Sequence, residues 1–329
     1  MINIIGGAGF IGTRLSYRLD HSRKPFNIVD QVISKTYPSR TKKADVRSLE
    51  ALRDTIDRSS VLINLAAVHR DDVRPRSLYD EVNIEGARNI CQAAVEKQCN
   101  TIIFTSSVAV YGFARPGTDE TGLINYYNDY GRTKWEAEKV YRSWQSEAPS
   151  ERTLVIIRPT VVFGEQNRGN VYNLLHQIAN GTFYMIGSGK NRKSMAYVEN
   201  VAAFLEYTLD AFEPGIHTFN YIDKPDYDMN TLVSEVRGYL GITDSRRVYI
   251  PYSLGYLTGL YFDALSLITG KTYPISSIRV KKFCTTTQFE TSLHKSGFRP
   301  CVPISEGLKR TISYEFIEDH SGKEIFYTE

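Results

Sequence analysis

Tyr130 and Lys134 stand four residues apart in Tyr130-Gly131-Arg132-Thr133-Lys134, a separation that puts a phenol and an ammonium on one face of a helix. A cation beside a phenol favours the phenolate and draws its pKa from about 10 toward neutrality, making the tyrosine a usable general base. Upstream, Thr105-Ser106-Ser107-Val108-Ala109-Val110-Tyr111-Gly112 follows an apolar run with the character of a strand. A hydroxyl therefore falls where the carboxyl ends of parallel strands line a ligand crevice. Ser107 there can hydrogen-bond a reacting alcohol and the carbonyl oxygen that develops from it. Tyr-x-x-x-Lys alone is common by chance, and the serine run is what gives it context.

A second constellation lies at the other end of the same half of the chain. Ile2-Ile5 is followed at once by Gly6-Gly7-Ala8-Gly9-Phe10-Ile11-Gly12 and then by a helical pattern. Glycines at these spacings let the turn tighten and the backbone approach a pyrophosphate at a helix N-terminus. Asp30, 18 residues past Gly12, sits at the end of the second predicted strand, where an acid binds the adenosine ribose hydroxyls. An anion there repels a 2′-phosphate, so NAD is the expected cofactor and NADP is disfavoured.

The elements that must hold these groups alternate in the rhythm of an α/β fold. Ile2-Ile5, Phe26-Val29, Val61-Leu65, Thr101-Thr105 and Leu154-Ile157 are predicted strands, and Ile11-Leu19, Leu78-Lys97 and Tyr130-Ser146 carry apolar residues at helical spacing. The pattern predicts a doubly wound, parallel Rossmann sheet. After Arg158-Pro159 the regularity breaks, with Gly164, Gly169, Gly181, Gly187 and Gly189 punctuating the chain. We expect an NAD-binding domain over 1–165, with 194–222 packing back on it, and a smaller, mainly substrate-binding domain over 166–329.

Forty basic against 37 acidic residues leave a net charge of only +3 in 329 residues, so nothing draws nucleic acid. Cys91, Cys99, Cys284 and Cys301 have neither the spacing of a metal site nor the density of a disulfide scaffold, which predicts reduced thiols, no metal and a cytoplasmic setting. Met1-Ile2-Asn3-Ile4-Ile5 runs directly into the glycine motif and is too short for the apolar region of a signal peptide, so export is not expected. Pro251 to Gly270 is rich in Leu, Tyr, Phe and Ile with Asp263 as its only charge, yet Gly255, Gly259 and three hydroxyl residues interrupt it. It falls short of the ~18 apolar residues of a membrane span. A buried helix is the first expectation, and a surface element touching lipid, with Lys271, Arg279, Lys281 and Lys282 beside anionic headgroups, is the rival. From about His320 the chain is expected to be poorly ordered.

Together the glycine fingerprint, Asn64-Leu65-Ala66-Ala67, the Ser-Ser-x-x-x-Tyr-Gly run, Tyr-x-x-x-Lys and Arg158-Pro159-Thr160-Val161-Val162-Phe163-Gly164 resemble the extended short-chain dehydrogenase/reductase family of nucleotide-sugar epimerases and dehydratases. The resemblance spans nearly the whole chain. It implies a catalytic set of Ser107, Tyr130 and Lys134. It also implies that Gly6, Gly9, Phe10, Ile11, Gly12, Asp30, Leu65, Ala66, Ala67, Tyr130 and Lys134 line the NAD, with Asp45 and Val46 against the adenine. Asn170, ahead of Leu174-Leu175 and Gln177-Ile178-Ala179, looks like the family's diphosphate-contacting asparagine. Relatives of this kind commonly pair as homodimers through a helix bundle.

A narrower likeness lies in Ala67-Val68-His69-Arg70-Asp71-Asp72-Val73, Arg168-Gly169-Asn170-Val171-Tyr172-Asn173, Lys193-Ser194-Met195-Ala196-Tyr197-Val198 and Arg279-Val280-Lys281-Lys282-Phe283-Cys284. These stretches resemble the branch that inverts carbon 4 of N-acetylglucosamine on undecaprenyl diphosphate, a lipid carrier, in bacterial O-antigen synthesis at the inner face of the membrane. Where the wider family has an Arg-Asp-aromatic tripeptide, this chain reads Lys193-Ser194-Met195. Lys193 and Arg279 are candidates for the diphosphate and His69 for a polar contact in the pocket. Inversion would pass through a transient 4-keto sugar that turns about its diphosphate link. The runner-up is a UDP-N-acetylglucosamine or UDP-glucose 4-epimerase. A 4,6-dehydratase would need an acid that Asp119-Glu120 are too far from the serine to supply, and Asp30 opposes an NADPH-dependent reductase. A non-catalytic NAD-binding scaffold is the reading outside enzymology.

Overall fold

A computed structural model describes residues 1–70, 73–242, 248–271, 273, 275–320 and 322–328. In chain order its elements are β1 (Ile2–Ile5), α1 (Phe10–His21), β2 (Phe26–Asp30), β3 (Thr41–Lys43), α2 (Leu49–Thr55), β4 (Val61–Asn64), α3 (Ser77–Tyr79), a π-helical stretch (Asp80–Glu85), α4 (Gly86–Glu96), β5 (Thr101–Thr105), α5 (Asp129–Ser146) and β6 (Thr153–Pro159). There follow β7 (Val161–Phe163), α6 (Asn170–Ala179), β8 (Met185–Ile186), β9 (Arg192–Tyr197), α7 (Val198–Tyr207), β10 (Gly215–Tyr221), β11 (Asp223–Asp228), α8 (Met229–Tyr239), β12 (Tyr249–Ile250), α9 (Tyr252–Thr269), α10 (Ser277–Cys284) and α11 (Ile304–Phe316).

Seven parallel strands form the main sheet in the order β10-β6-β5-β4-β1-β2-β3. Alternate residues of each central strand serve opposite faces. Ile5, Leu62, Ile102 and Leu154 pack with Leu52, Ile90, Tyr141 and Trp144 on one side, while Ile4, Ile63, Ile103 and Val155 pack with Leu15, Leu19, Val201 and Phe204 on the other. Burial on both faces is why these strands are near-continuous apolar runs. The connection reverses beside β1, so the crevice at the carboxyl ends of β1 and β4 is where such a sheet binds ligand. A smaller sheet, β11-β9-β7, shares a third core with α6, α8 and α11, built on Phe163, Leu175, Met195, Leu232 and Leu308.

Three expectations are corrected. The run Leu78–Lys97 is not one helix, because the π stretch widens the turn before α4. The segment 251–270 is a helix but not a buried one: only Gly255 and Gly259 of α9 are buried, and Leu267 and Ile268 are 88% and 82% exposed. Its glycine stripe meets α10 so closely that a Cβ on Gly259 would lie 2.6 Å from the Ser277 nitrogen, and the leucines face away. Nor do residues 322–328 trail free, since Phe326 is buried in the third core and pairs with the backbone beside Asn167.

Candidate active site

The turn between β1 and α1 is shaped by close backbone approach. Gly6 takes φ +77°, and a Cβ there would lie 2.5 Å from the Ala66 nitrogen, while one on Gly12 would lie 2.5 Å from Gly7 Cα. The facing loop is fixed by Asn64, whose side-chain oxygen accepts from Ala66 N at 3.0 Å and whose amide donates to the Tyr141 hydroxyl at 2.7 Å. Leu65, Ala66 and Ala67 of that loop are half-buried. Gly9 caps α1 without a side chain and the first turn holds no acid, so the N–H groups of Phe10, Ile11 and Gly12 suit an anion. Asp30 holds the turn from the side, accepting from Ala8 N at 3.0 Å and Val32 N at 3.2 Å, with its carboxylate still partly accessible. Asp45 is paired to Arg47 at 2.7 Å, which holds its carboxyl below the usual range, and Val46 packs under Gly86. Fit to a dinucleotide is good: an uncapped helix end for the pyrophosphate and a carboxylate one strand away for a ribose.

Across the crevice, Asn128 caps α5 by accepting from Gly131 N at 2.9 Å, which starts the helix one residue before Tyr130. Ser107, two residues beyond the end of β5, faces the Tyr130 phenol closely enough to hold its pKa down. Lys134 Nζ donates to the Thr105 carbonyl at 2.7 Å and lies 5.9 Å from the Tyr130 ring centre. Ser107, Tyr130 and Lys134 are thus brought together. Their titration departs from expectation. Burial raises Tyr130 to about 12, against a lowering by Ser107, and burial depresses Lys134 to about 7. The sequence placed a full ammonium beside the phenol; in the crevice desolvation acts on both and opposes both charges.

Behind this set is a buried network the sequence reading missed. Ser106 Oγ donates to Glu138 Oε1 at 2.6 Å, and Arg158 donates to both Glu138 oxygens at 2.8 and 2.6 Å. Arg158 also donates to the Tyr111 hydroxyl, which passes on to Asn220 at 2.9 Å. Glu138 lies four residues past Lys134 on the same helix face, and that spacing was the available signal. Asn83, aimed by the π stretch, ties Val68 N and O at 2.8 and 2.9 Å to Thr133 on α5 at 2.9 Å. Glu120 is committed to Asn220 N and Ser292 N, at 2.8 and 2.9 Å.

The remaining candidates are spread more widely. His69 stands in the wall of the crevice, accessible yet crowded enough that its imidazole is held below its ordinary pKa. Asp71 and Asp72 of its motif lie outside the described residues. Asn170 opens α6 and is exposed. Lys193 is turned onto the end of α10, donating to the Lys282 and Thr285 carbonyls at 2.8 and 2.7 Å, and burial lowers it to about 8. Arg279 donates to the Tyr273 carbonyl at 3.3 Å. Lys281 and Lys282, read in the sequence as neighbours of lipid headgroups, sit instead over Phe113 and Tyr127, at 4.8 and 5.1 Å, and those two rings stack on one another, Tyr127 lying three residues before Tyr130.

Residues 2–221 match the model of the NAD dependent epimerase/dehydratase family. The chain is 49% identical, over 99% of its length and 98% of the relative's, to the N-acetyl-α-D-glucosaminyl-diphospho-ditrans,octacis-undecaprenol 4-epimerase of Escherichia coli O157:H7. It is 25% identical, over 94% of both chains, to a UDP-glucose 4-epimerase of Vibrio cholerae. The UDP-glucose 4-epimerase of Thermotoga maritima, solved with UDP-glucose, superposes with a TM-score of 0.73 at 18% identity over 95% of this chain and 97% of that one.

Proposed function

The chain belongs to the NAD dependent epimerase/dehydratase family, and we propose that it is the NAD-dependent 4-epimerase that interconverts N-acetylglucosamine and N-acetylgalactosamine on undecaprenyl diphosphate in O-antigen synthesis. The observation that carries this reading is the 49% identity, maintained end to end, with a protein named for that lipid-linked substrate, against 25% with one named for UDP-glucose.

In this reading Tyr130 takes the proton from the sugar 4-hydroxyl and returns it to the same oxygen once the sugar has turned, with Ser107 bonded to that oxygen as it becomes a carbonyl. Lys134 and the uncapped turn of α1 hold the cofactor, with Asp30 at its ribose, Leu65, Ala66 and Ala67 along it, and Asp45 and Val46 at the adenine. Bound NAD supplies the acceptor that takes the hydrogen from carbon 4 and gives it back. Asn170 is assigned to the diphosphate. Lys193 and Arg279 would need to exchange their present carbonyl partners to join it, and His69 would stay a neutral hydrogen-bonding partner. Glu120, bound to two backbone amides, supports epimerisation over a dehydration that needs a mobile acid.

The 1–165 and 166–329 division, and pairing of two copies, belong to the same proposal; light scattering on the eluting protein tests the pairing. So does contact with the inner membrane face. No helix among the described residues is long and apolar enough to cross a membrane. The α9–α10 pair instead presents Leu254, Leu257, Leu260, Leu267, Ile268, Ile275 and Ile278 outward, flanked by Lys271 and Lys281, the composition of a surface resting in an anionic leaflet.

Purified protein is incubated with undecaprenyl-diphospho-N-acetylglucosamine and, separately, with UDP-N-acetylglucosamine, and the sugars are released and identified. Galactosamine from the lipid substrate alone is the expected result. Turnover of the UDP-sugar alone would replace this reading with the nucleotide-sugar one, and turnover of neither would overturn 4-epimerisation.

A further inference from the structure

Residues 322–328 return across the mouth of the crevice. Phe326 N donates to the Gln166 carbonyl at 2.9 Å and Arg168 N donates to the Phe326 carbonyl at 2.8 Å, a strand-like pairing beside Asn167. The Phe326 ring is 9% exposed and stands 5.9 Å from the ring of Phe10, the first residue of α1. Further on, the Thr328 hydroxyl donates to Asn167 Oδ1 at 2.6 Å, and its backbone lies against the His69 ring. At the near end Glu324 lies 3.9 Å from Lys35, in the loop that follows Asp30. Thr13, Lys35, Thr36 and Gln166 of the body line one wall of a cleft whose other wall is this segment.

These contacts describe a path. Lys35 belongs to the loop beyond β2, His69 to the loop beyond β4, and Phe10 to the glycine turn beyond β1, which lies between them in the sheet. A segment touching all three crosses over the uncapped end of α1. We propose that residues 322–328 form the outer wall of the NAD site, with Phe326 as the anchor and Thr328 as the latch that retain the cofactor between hydride removal and hydride return. The inference rests on the 4-epimerase reading, in which the reduced cofactor must stay until the keto sugar has turned. Loss of reduced cofactor at that stage would strand the sugar as a ketone. The wall is light: among the described residues one buried ring, two backbone hydrogen bonds, a Thr–Asn bond, the long Glu324–Lys35 pair and the contact with His69 hold it, so it can open for loading without disturbing the sheet.

Its test reads retention, not turnover. The full chain, a chain ending at His320, and Phe326→Ala and Thr328→Ala variants are loaded with radiolabelled NAD, desalted, and chased with excess unlabelled NAD while bound label and melting temperature are followed. The full chain is expected to hold label, the shortened chain and Phe326→Ala to release it at least tenfold faster, and Thr328→Ala to release it severalfold faster with unchanged melting. Release at the full-chain rate from Phe326→Ala and Thr328→Ala proteins that melt normally overturns the proposal, whatever the shortened chain does. A full chain that takes up no label would instead remove the NAD-dependent reading beneath it.

Discussion

At the scale of single residues, desolvation decides more than spacing does. The four-residue step from Tyr130 to Lys134 correctly implied a shared face, but a sequence carries no dielectric, and burial drives the phenol up and the ammonium down. The proton-transfer role assigned to Tyr130 is tested by Tyr130→Phe, which deletes one oxygen and leaves the packing. We expect kcat to fall by a factor on the order of 10²–10⁴ with NAD still bound, measured by sugar release and by nucleotide content. Unchanged turnover would remove the role. Asp223 shows the same physics away from the chemistry. It is 1% exposed, and burial lifts its carboxyl to about 6 despite hydrogen bonds from Tyr197 N and Asn200. Because its folded pKa lies above the unfolded one, the native state binds the extra proton between about pH 4 and 6, and stability falls as pH rises through that window. Urea melts should show Asp223→Asn gaining about 2 kcal/mol relative to wild type between pH 4 and pH 7. A difference that does not move with pH would mean the carboxyl titrates normally.

At the scale of elements, what was legible is what is buried on two sides. β1, β2, β4, β5 and β6 were visible because both faces need apolar residues, and the glycine turn because Gly6 and Gly12 leave no room for a Cβ. β3, with the sequence Thr-Lys-Lys, and β10, half-exposed, were not, since each is an edge strand with little to bury. Residues 322–328 were not legible because they form no regular element and, of Ile325, Phe326 and Tyr327, only Phe326 is buried. α9 was legible as a helix but not in its burial: its apolar residues run all round, and only α10's crossing over Gly255 and Gly259 shows which face is covered. Leu257 and Leu260, 61% and 43% exposed, are therefore replaceable without opening the core. A Leu257→Asp, Leu260→Asp protein should melt within a few degrees of wild type. In sedimentation with vesicles containing anionic phospholipid it should stay in the supernatant while the wild type pellets. Pelleting of both would place the membrane contact elsewhere, and collapse of the variant would restore the buried helix.

At the scale of the whole molecule, the reacting groups are held by a chain of buried polar contacts running from the catalytic helix to the far edge of the sheet. Glu138 on α5 binds Ser106 at the end of β5 and Arg158 on β6, and Arg158 continues through Tyr111 to Asn220 on β10, whose amide reaches the Glu290 carbonyl. None of this was foreseen, because a glutamate in mid-helix looks like a solvated face until the strands beneath it are in place. Both members of the Glu138–Arg158 pair are nearly inaccessible, with side-chain exposures of 0% and 3%. Removing one charge leaves the other buried without its counter-ion, which typically costs about 3–5 kcal/mol, whereas removing both costs far less. Glu138→Gln should thus lose about that much stability in urea, and Glu138→Gln, Arg158→Met should recover most of it. If the pair also positions the site, the doubly substituted protein will regain its fold but not its kcat, since Ser106 and the strand end carrying Ser107 will have lost the carboxylate that ties them to α5. Recovery of stability and kcat together would make the pair a support of the fold alone, and failure of the second substitution to restore stability would show that Glu138 acts chiefly through Ser106.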